Sequence, residues 1–318
     1  MKKIVFSCVI TLAALFYVAT QSQANAQQQK QKEEPSWAPK PKAATGWKAP
    51  MKPHTKFSEV VAKHKGKSEW REPIVRDDHF DVDYVQLPVG AQVSSRFKPD
   101  TRSWWVVRDG QVRFKIEGQD DVLAYKNSMV QVPAQTLYSM EVVGEKPAIF
   151  LEVNIAHAKT LYPKATTPPQ TPGVEWLPVV LRRTPFPYGY SNKPHINLDE
   201  LAKDPTYKGS RFVHDDRGVS NIIYGKASDL PAYDPKRPQA RGHYHPECAE
   251  FWLIMKGQIM YPMEGIKEPI IASENDVVYA PPFTFHAPRF YGEGYSCRLA
   301  MNGYPNIAHL FDAPENPH

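Results

Sequence analysis

Cysteine is nearly absent: Cys8, Cys248 and Cys297 are all that 318 residues contain. Cys8 falls in an N-terminal leader, and two cysteines do not make a disulfide scaffold, so a hydrophobic core must hold the fold. An exported chain could join Cys248 to Cys297, or keep both as buried thiols; sequence alone carries no geometry to choose. Long apolar runs are missing after residue 19, which excludes stable membrane insertion once the leader is cleaved. Charge of one sign is missing from the body of the chain. The net +5 is accounted for by residues 27–56, with seven lysines against two glutamates. The rest is near neutral, so nucleic acid is not an expected partner. No G-x-S-x-G, Cys/His pair or phosphate-cradling loop competes as a site.

What is present is proline: 31 residues, about twice average usage. Proline lacks the N–H that a helix interior needs, so the composition leans to extended strands and turns, an all-β chain. Hydrophobic content of 42% and charged content of 23% exclude wholesale disorder. At the start, Lys2 and Lys3 precede an apolar stretch over residues 4–19, and Ala24-Asn25-Ala26 places small residues where a signal peptidase reads. This predicts a signal peptide over 1–26 and a periplasmic or secreted protein. Residues 27–74 are rich in Gln, Lys and Pro, and are expected to be a disordered basic tail. Such a tail reads as a solvated spacer, or as a segment drawn to anionic envelope surfaces.

Short apolar or alternating runs then follow one another, broken by Gly, Pro, Asn and Asp. Candidate strands cover 104–107, 111–116, 129–132 and 150–155, a pattern expected of a sandwich or barrel. The second half repeats the first. Pro99, Trp105 and Gly110-Gln111 recur 147 residues later as Pro246, Trp252 and Gly257-Gln258. One inserted residue later, Val132-Pro133 recurs as Ala280-Pro281. A period this long is a duplicated domain. The halves are placed at 75–160 and 216–318, joined by a Pro-rich connection over 161–215 expected to pack across both.

His243-x-His245 sits where strand alternation sends both side chains to one face. Glu250 follows at the start of the next apolar run, and His286 lies beyond the strand 277–280 and the Pro281-Pro282 turn. Three imidazoles and a carboxylate suit a divalent transition metal. With 11 histidines in the chain, this His-x-His, acid and glycine spacing has a chance expectation of only about 0.002. His243-x-His245-x4-Glu250-x6-Gly257 resembles the first cupin motif. Asn275-x5-Pro281-x-Phe283-x2-His286 resembles the second, with Asn275 and Phe283 where that family usually has glycine. The resemblance covers both halves and implies a bicupin: two jelly-roll β-barrels in tandem, with His243, His245, Glu250 and His286 as metal ligands in the second.

The equivalents in the first half are Arg96, Lys98, Ser103 and Tyr138. Two cations would repel a divalent ion, so this barrel is expected to be metal-free. Arg96 and Lys98 then read as the lining of an anion pocket, or as rim residues of a domain kept for packing. Around the proposed metal, alternation puts Arg241 on the ligand face, where it could hold a substrate carboxylate. Glu247, Arg289 and Arg298 are further candidates for acid/base or anion-binding work. Trp252 and Phe285 are candidate pocket walls, Tyr244 should point away, and His309 and His318 read as surface residues.

Four ligands on a first-row ion of five or six coordination leave room for water, oxygen or substrate, so the set reads as catalytic rather than structural. Manganese and iron lead as the single ion per chain, with copper, nickel and zinc still open. Three functions stay open on one small-molecule site: an oxidoreductase of the dioxygenase type with Arg241 orienting an oxygenated substrate, a decarboxylase, lyase or isomerase using the ion as a Lewis acid, or a non-catalytic binding module. A monomer and a homodimer are equally acceptable.

Overall fold

Strand Ser103–Asp109 is buried at its first six positions, and Glu250–Lys256 likewise. A strand buried along its whole length must be covered on both faces. The computed structural model, which describes residues 35–42, 46–203, 210–237 and 240–313, shows what covers them. Each of the two strands lies within a six-stranded sheet. In one sheet the order is His195–Asn197, Ser128–Val132, Ser103–Asp109, Ala148–Ile155, Phe80–Leu87 and Trp70–Arg76. In the other it is His54–Thr55, Val277–Ala280, Glu250–Lys256, Tyr295–Asn302, Gly218–Lys226 and Ser210–Asp215. The two orders match strand for strand, as expected of a duplication. Smaller sheets close each barrel: Gln92–Arg96, Tyr138–Val143, Gln111–Ile116 and Val122–Tyr125 in the first, and Ile270–Ser273, Gln258–Tyr261 and Arg289–Tyr291 in the second.

Alternation along these strands divides the core into three. Trp105 and Val107 point into the first barrel, against Phe114 and Tyr138. Trp252 and Ile254 point into the second, against Ile259 and Tyr261. Their neighbours Trp104, Val106, Phe251, Leu253 and Met255 meet in one cluster between the barrels. Phe80 seals that seam, with ring centroids 5.8 Å from Trp104 and 5.4 Å from Phe251. The two barrels therefore belong to one compact unit, residues 40–318.

Arg108, buried in the seam, donates to Asn127 Oδ1 at 2.8 Å, Asn275 Oδ1 at 2.5 Å and the Met255 carbonyl at 2.9 Å. Asn127 and Asn275 are repeat equivalents, and both have left-handed backbone, φ 67° and 73°. Gln135 and Phe283 form a second such pair, φ 59° and 62°. The chain thus keeps at Asn275 and Phe283 the turns that usually carry glycine in the resembling family, at a cost of about 1–2 kcal/mol each for a residue with a Cβ. Asn275 gains in return: its carbonyl accepts from the Tyr84 hydroxyl at 2.6 Å.

The domain boundaries differ from those expected. The leader over 1–26 lies outside the described residues. The end of the expected tail is structured: Phe57–Lys63 is a helix, His54–Thr55 pairs with Val277–Val278, and Trp70 begins the first barrel's outermost strand. Lysines mask there a set of apolar anchors. Val60 and Trp70 are buried in the inter-barrel cluster, Trp47, Met51 and Phe57 pack on it, and Trp47 Nε1 donates to the Tyr279 carbonyl at 2.9 Å. The connection also ends early, because Ser210–Asp215 is a strand of the second barrel's sheet. Before that it runs over the first barrel, where Arg183 pairs with Glu117, and then meets the second, where Tyr190 stacks on His214 at 3.8 Å.

The first barrel's interior is plugged. Tyr138, at the position equivalent to the ligand His286, packs on Trp105 with ring centroids 5.0 Å apart, and both side chains are buried. Lys98 Nζ donates to Thr160 Oγ1 at 2.8 Å, Ser103 to Asn154 at 2.9 Å, and Arg96 to the Ser94 carbonyl at 2.9 Å. Arg96 also covers the Tyr162 ring at 5.2 Å. Arg96 and Lys98 are thus each engaged by protein groups, and neither lines the shallow depression beside Tyr138. Among the described residues no helix is long and apolar enough to cross a membrane. Cys248 and Cys297 are separate buried thiols, each pushed up to about 12 by burial.

Candidate metal centre

The second barrel brings together the four residues singled out by spacing. One nitrogen or carboxylate oxygen from each of His243, His245, Glu250 and His286 lies within 4.8 Å of the others. Glu250 opens strand Glu250–Lys256, whose partner Ala280 ends strand Val277–Ala280. The Pro281-Pro282 turn then returns the chain so that His286 and His243 exchange backbone hydrogen bonds, at 2.9 and 3.1 Å.

Carbonyl oxygens orient the imidazoles. Nδ1 of His245 meets the Ala308 carbonyl at 2.8 Å, and Nδ1 of His286 the Thr284 carbonyl at 2.9 Å. A ring that donates from Nδ1 directs Nε2 to the centre, and both Nε2 atoms face Glu250 Oε2, at 3.0 and 3.1 Å. Burial opposes the charge on Glu250, yet the hydrogen bonds from His245 and His286 outweigh it and hold the carboxyl well below its usual range. Burial and the neighbouring His286 push His243 down to about 3, keeping it neutral. On His245 burial acts downwards, but the pairing with Glu250 wins and raises it. A buried anion ringed by three imidazoles, two with their outer nitrogens tied back, fits a divalent transition metal.

The metal-free protein should lose stability as pH falls from about 6.5 toward 3. In that window the unfolded chain protonates at His243 while the folded one does not. His245, raised, acts on the other side: its contribution is lost as pH rises through its folded value. Urea unfolding of the wild type and His243→Gln at pH 7 and pH 4 checks this, since the variant should lose less on acidification. Equal losses would contradict it.

Gly242 is a contributor that spacing did not reveal. Its φ is +78°, and a Cβ there would run into the His286 carbonyl oxygen. Gly242→Ala should wedge apart the His243–His286 bridge, lowering metal content and costing upwards of about 1 kcal/mol. Unchanged metal content and unchanged urea midpoint would disprove that role.

The same left-handed residue overturns the expectation for Arg241. Strand alternation does not continue through Gly242, and Arg241 turns to pair with Glu264 at 3.1 Å over the Phe285 ring. Phe285 is engaged there and with Tyr244, at 4.9 Å, so it does not wall the site, and Tyr244 lies among these rings. Glu247 is exposed and does not line the cavity. Trp252 does, its ring 5.0 Å from His286.

His309 is exposed, as expected, yet it stands beside the cluster, and His318 lies outside the described residues. Leu310–Phe311 pairs with His243–Tyr244 and carries the His309 ring to 4.7 Å from His243 and 4.6 Å from His245. No spacing signal marks this residue; only the strand pairing brings it there. The cavity beside the cluster measures about 390 Å³ and is lined by His243, Glu250, Trp252, Arg289, Arg298 and His309, among others. A loop carrying Tyr233, Asp234 and Arg237 forms another side.

No family model and no curated protein matches the sequence. Solved structures do. A salicylate 1,2-dioxygenase from Pseudaminobacter salicylatoxidans is similar with a TM-score of 0.57 and 10% identity, over 81% of this chain and 88% of that one. A cupin 2 conserved barrel domain protein from Leptotrichia buccalis gives 0.53 and 13%, over 79% and 95%. A variant of oxalate decarboxylase from B. subtilis gives 0.50 and 14%, over 89% and 88%. Identities this low speak to fold, and the matched strand orders, the two closed barrels and the ligand cluster in the second agree with it: the chain has a bicupin fold, two jelly-roll barrels in tandem.

Proposed function

We propose that this chain is an exported, metal-dependent oxidoreductase of the dioxygenase type, acting on a small oxygenated, carboxylate-bearing organic molecule at one mononuclear centre. The observation that carries the reading is the three-histidine, one-glutamate cluster, buried but for the half-buried His243, opening onto a cavity of about 390 Å³, within the range of small-molecule sites. His243, His245, Glu250 and His286 would hold the ion, manganese or iron by their mixed imidazole and carboxylate donors. When bound, it would supply Lewis-acid polarisation and a redox centre. The chain's own groups do the rest. The Ala308 and Thr284 carbonyls fix the rings of His245 and His286, Trp252 walls the cavity, and Arg237, Arg289 and Arg298 make its lining basic. The leader over 1–26 supports export.

The test is oxygen uptake by the metal-loaded protein with aromatic vicinal diols and hydroxy acids. Uptake matched by ring-opened product supports the reading. Turnover that continues under nitrogen would reassign the site to a decarboxylase or lyase. Ligand binding with no product either way would make it a binding protein.

A further inference from the structure

Three arginines are buried among the described residues: Arg102, Arg108 and Arg298. The first two are well provided for. Arg102 reaches Asp215, Gln131 and the Tyr188 carbonyl, and Arg108 the partners named above. Arg298 is different. It is 9% exposed, its Nε and Nη1 have no hydrogen-bond partner, and no carboxylate of the described residues lies within ion-pair distance. An uncompensated buried cation is strongly unfavourable, and an unsatisfied buried donor calls for an explanation.

The strand gives Arg298 its direction. In Tyr295–Asn302, Cys297, Leu299 and Met301 belong to the inter-barrel cluster, so Arg298, Ala300 and Asn302 face the interior of the second barrel. Their cross-strand partners are Ile254, Trp252 and Glu250 in turn. Asn302 thus stands level with the metal cluster, and Arg298 four residues away, roughly 14 Å along the strand. Between them stands Ala300, packed in the barrel core. Arg298 rests over the Phe290 ring at 5.4 Å and lines the same cavity as His243 and Glu250. Two more interior atoms of this barrel lack partners, Tyr261 Oη and Asn302 Oδ1.

We propose that Arg298 is the anion anchor of this cavity, receiving a substrate carboxylate on its free donors while the far end of the molecule faces the four metal ligands. The inference rests on the function proposed above and narrows its substrate class. The carboxylate is separated from the metal-facing oxygens by a ring or short chain, so a molecule as short as oxalate does not span the site. Arg298 supplies the anion recognition that alternation had assigned to Arg241.

The experiment is titration calorimetry, under nitrogen, of the full metal-loaded chain with 3,4-dihydroxybenzoate and with catechol, which lacks the carboxylate. Wild type should prefer the acid by about 10- to 100-fold, the worth of a charge-assisted hydrogen-bonded pair. Arg298→Met should abolish the preference while leaving catechol affinity and metal content unchanged, and Arg298→Lys should restore part of it. The ligand-free Arg298→Met protein should melt higher than wild type, because an unpaired buried charge has gone. A merely structural arginine would give a lower melting temperature and the loss of both ligands, which would overturn the proposal. So would equal affinities for the two ligands in the wild type. Metal near one per chain with no acid preference removes this inference and leaves the proposed function standing. An Arg298-dependent preference in a chain that takes up no metal does the reverse.

Discussion

Glu250→Ala will purify with almost no metal, while Lys98→Ala will carry as much as the wild type. Glu250 is the single anion in the cluster, and its Oε2 faces two imidazole nitrogens at once. Removing it leaves three neutral rings and no charge to offset that of a dication, in a buried site where the Coulomb attraction is strongest. Elemental analysis of protein prepared without added metal should fall from about one mole per chain to under about a tenth, as expected when a ligand rather than a supporting group is lost. His243→Ala should behave similarly, because His243 is the ligand held neutral by its surroundings. Lys98 occupies the position equivalent to His245, but bonds to Thr160 beside a plugged interior. Equal metal loss from the Lys98 variant would sink the one-site reading.

Arg108→Met will cost about 3–5 kcal/mol of stability. The guanidinium satisfies Asn127 Oδ1, Asn275 Oδ1 and the Met255 carbonyl, all in the seam between the barrels. Methionine would fill much of the volume and strand those acceptors, each at about 1–3 kcal/mol, while the partly exposed Glu274, 3.5 Å from the guanidinium, keeps its 2.8 Å pairing with Lys126. The loss should appear as a lower urea midpoint for the whole unit, since the seam belongs to both barrels. A change below about 1 kcal/mol would mean that the seam tolerates the loss. The contrast with Arg298→Met, expected to stabilise, is informative. Two buried arginines on equivalent frameworks have opposite consequences because one is satisfied by the protein and the other is not.

Much of the site was legible before any coordinates. Ligand spacing in a jelly roll is local: two histidines from one short strand, an acid opening the next, and a third histidine after a proline turn. Strand period and turn chemistry act over a few residues, so His243, His245, Glu250 and His286 could be chosen from order alone. The duplication was legible for a similar reason, because Pro99, Trp105 and Gly110 mark the same turns and barrel-facing positions as Pro246, Trp252 and Gly257.

Other assignments failed where a single backbone angle or a distant partner intervened. Arg241 was placed on the ligand face by alternation, and left-handed Gly242 breaks that alternation. Glycine offers no advance sign of which conformation it will take. His309 is exposed as expected, but its place beside the cluster was not legible, because its partners are 66 and 64 positions earlier in the chain. Residues 47–70 read as tail because their lysines outnumber their anchors, and only the facing sheets supply the surface that buries Val60 and Trp70.

The sequence by itself therefore determined an all-β duplicated chain with a candidate metal-ligand set in one half, because those features rest on local periodicity, turn residues and charge. The tertiary structure alone decided which face of Trp104-Trp105 and of Phe251-Trp252 joins the barrels and which fills them. It also decided that the first interior is closed, and that Arg298, not Arg241, is aimed into the cavity. The reason is common to all three. Burial and hydrogen-bond satisfaction are properties of the assembled neighbourhood, and a residue's partners across a barrel are set by strand order, which local sequence does not encode.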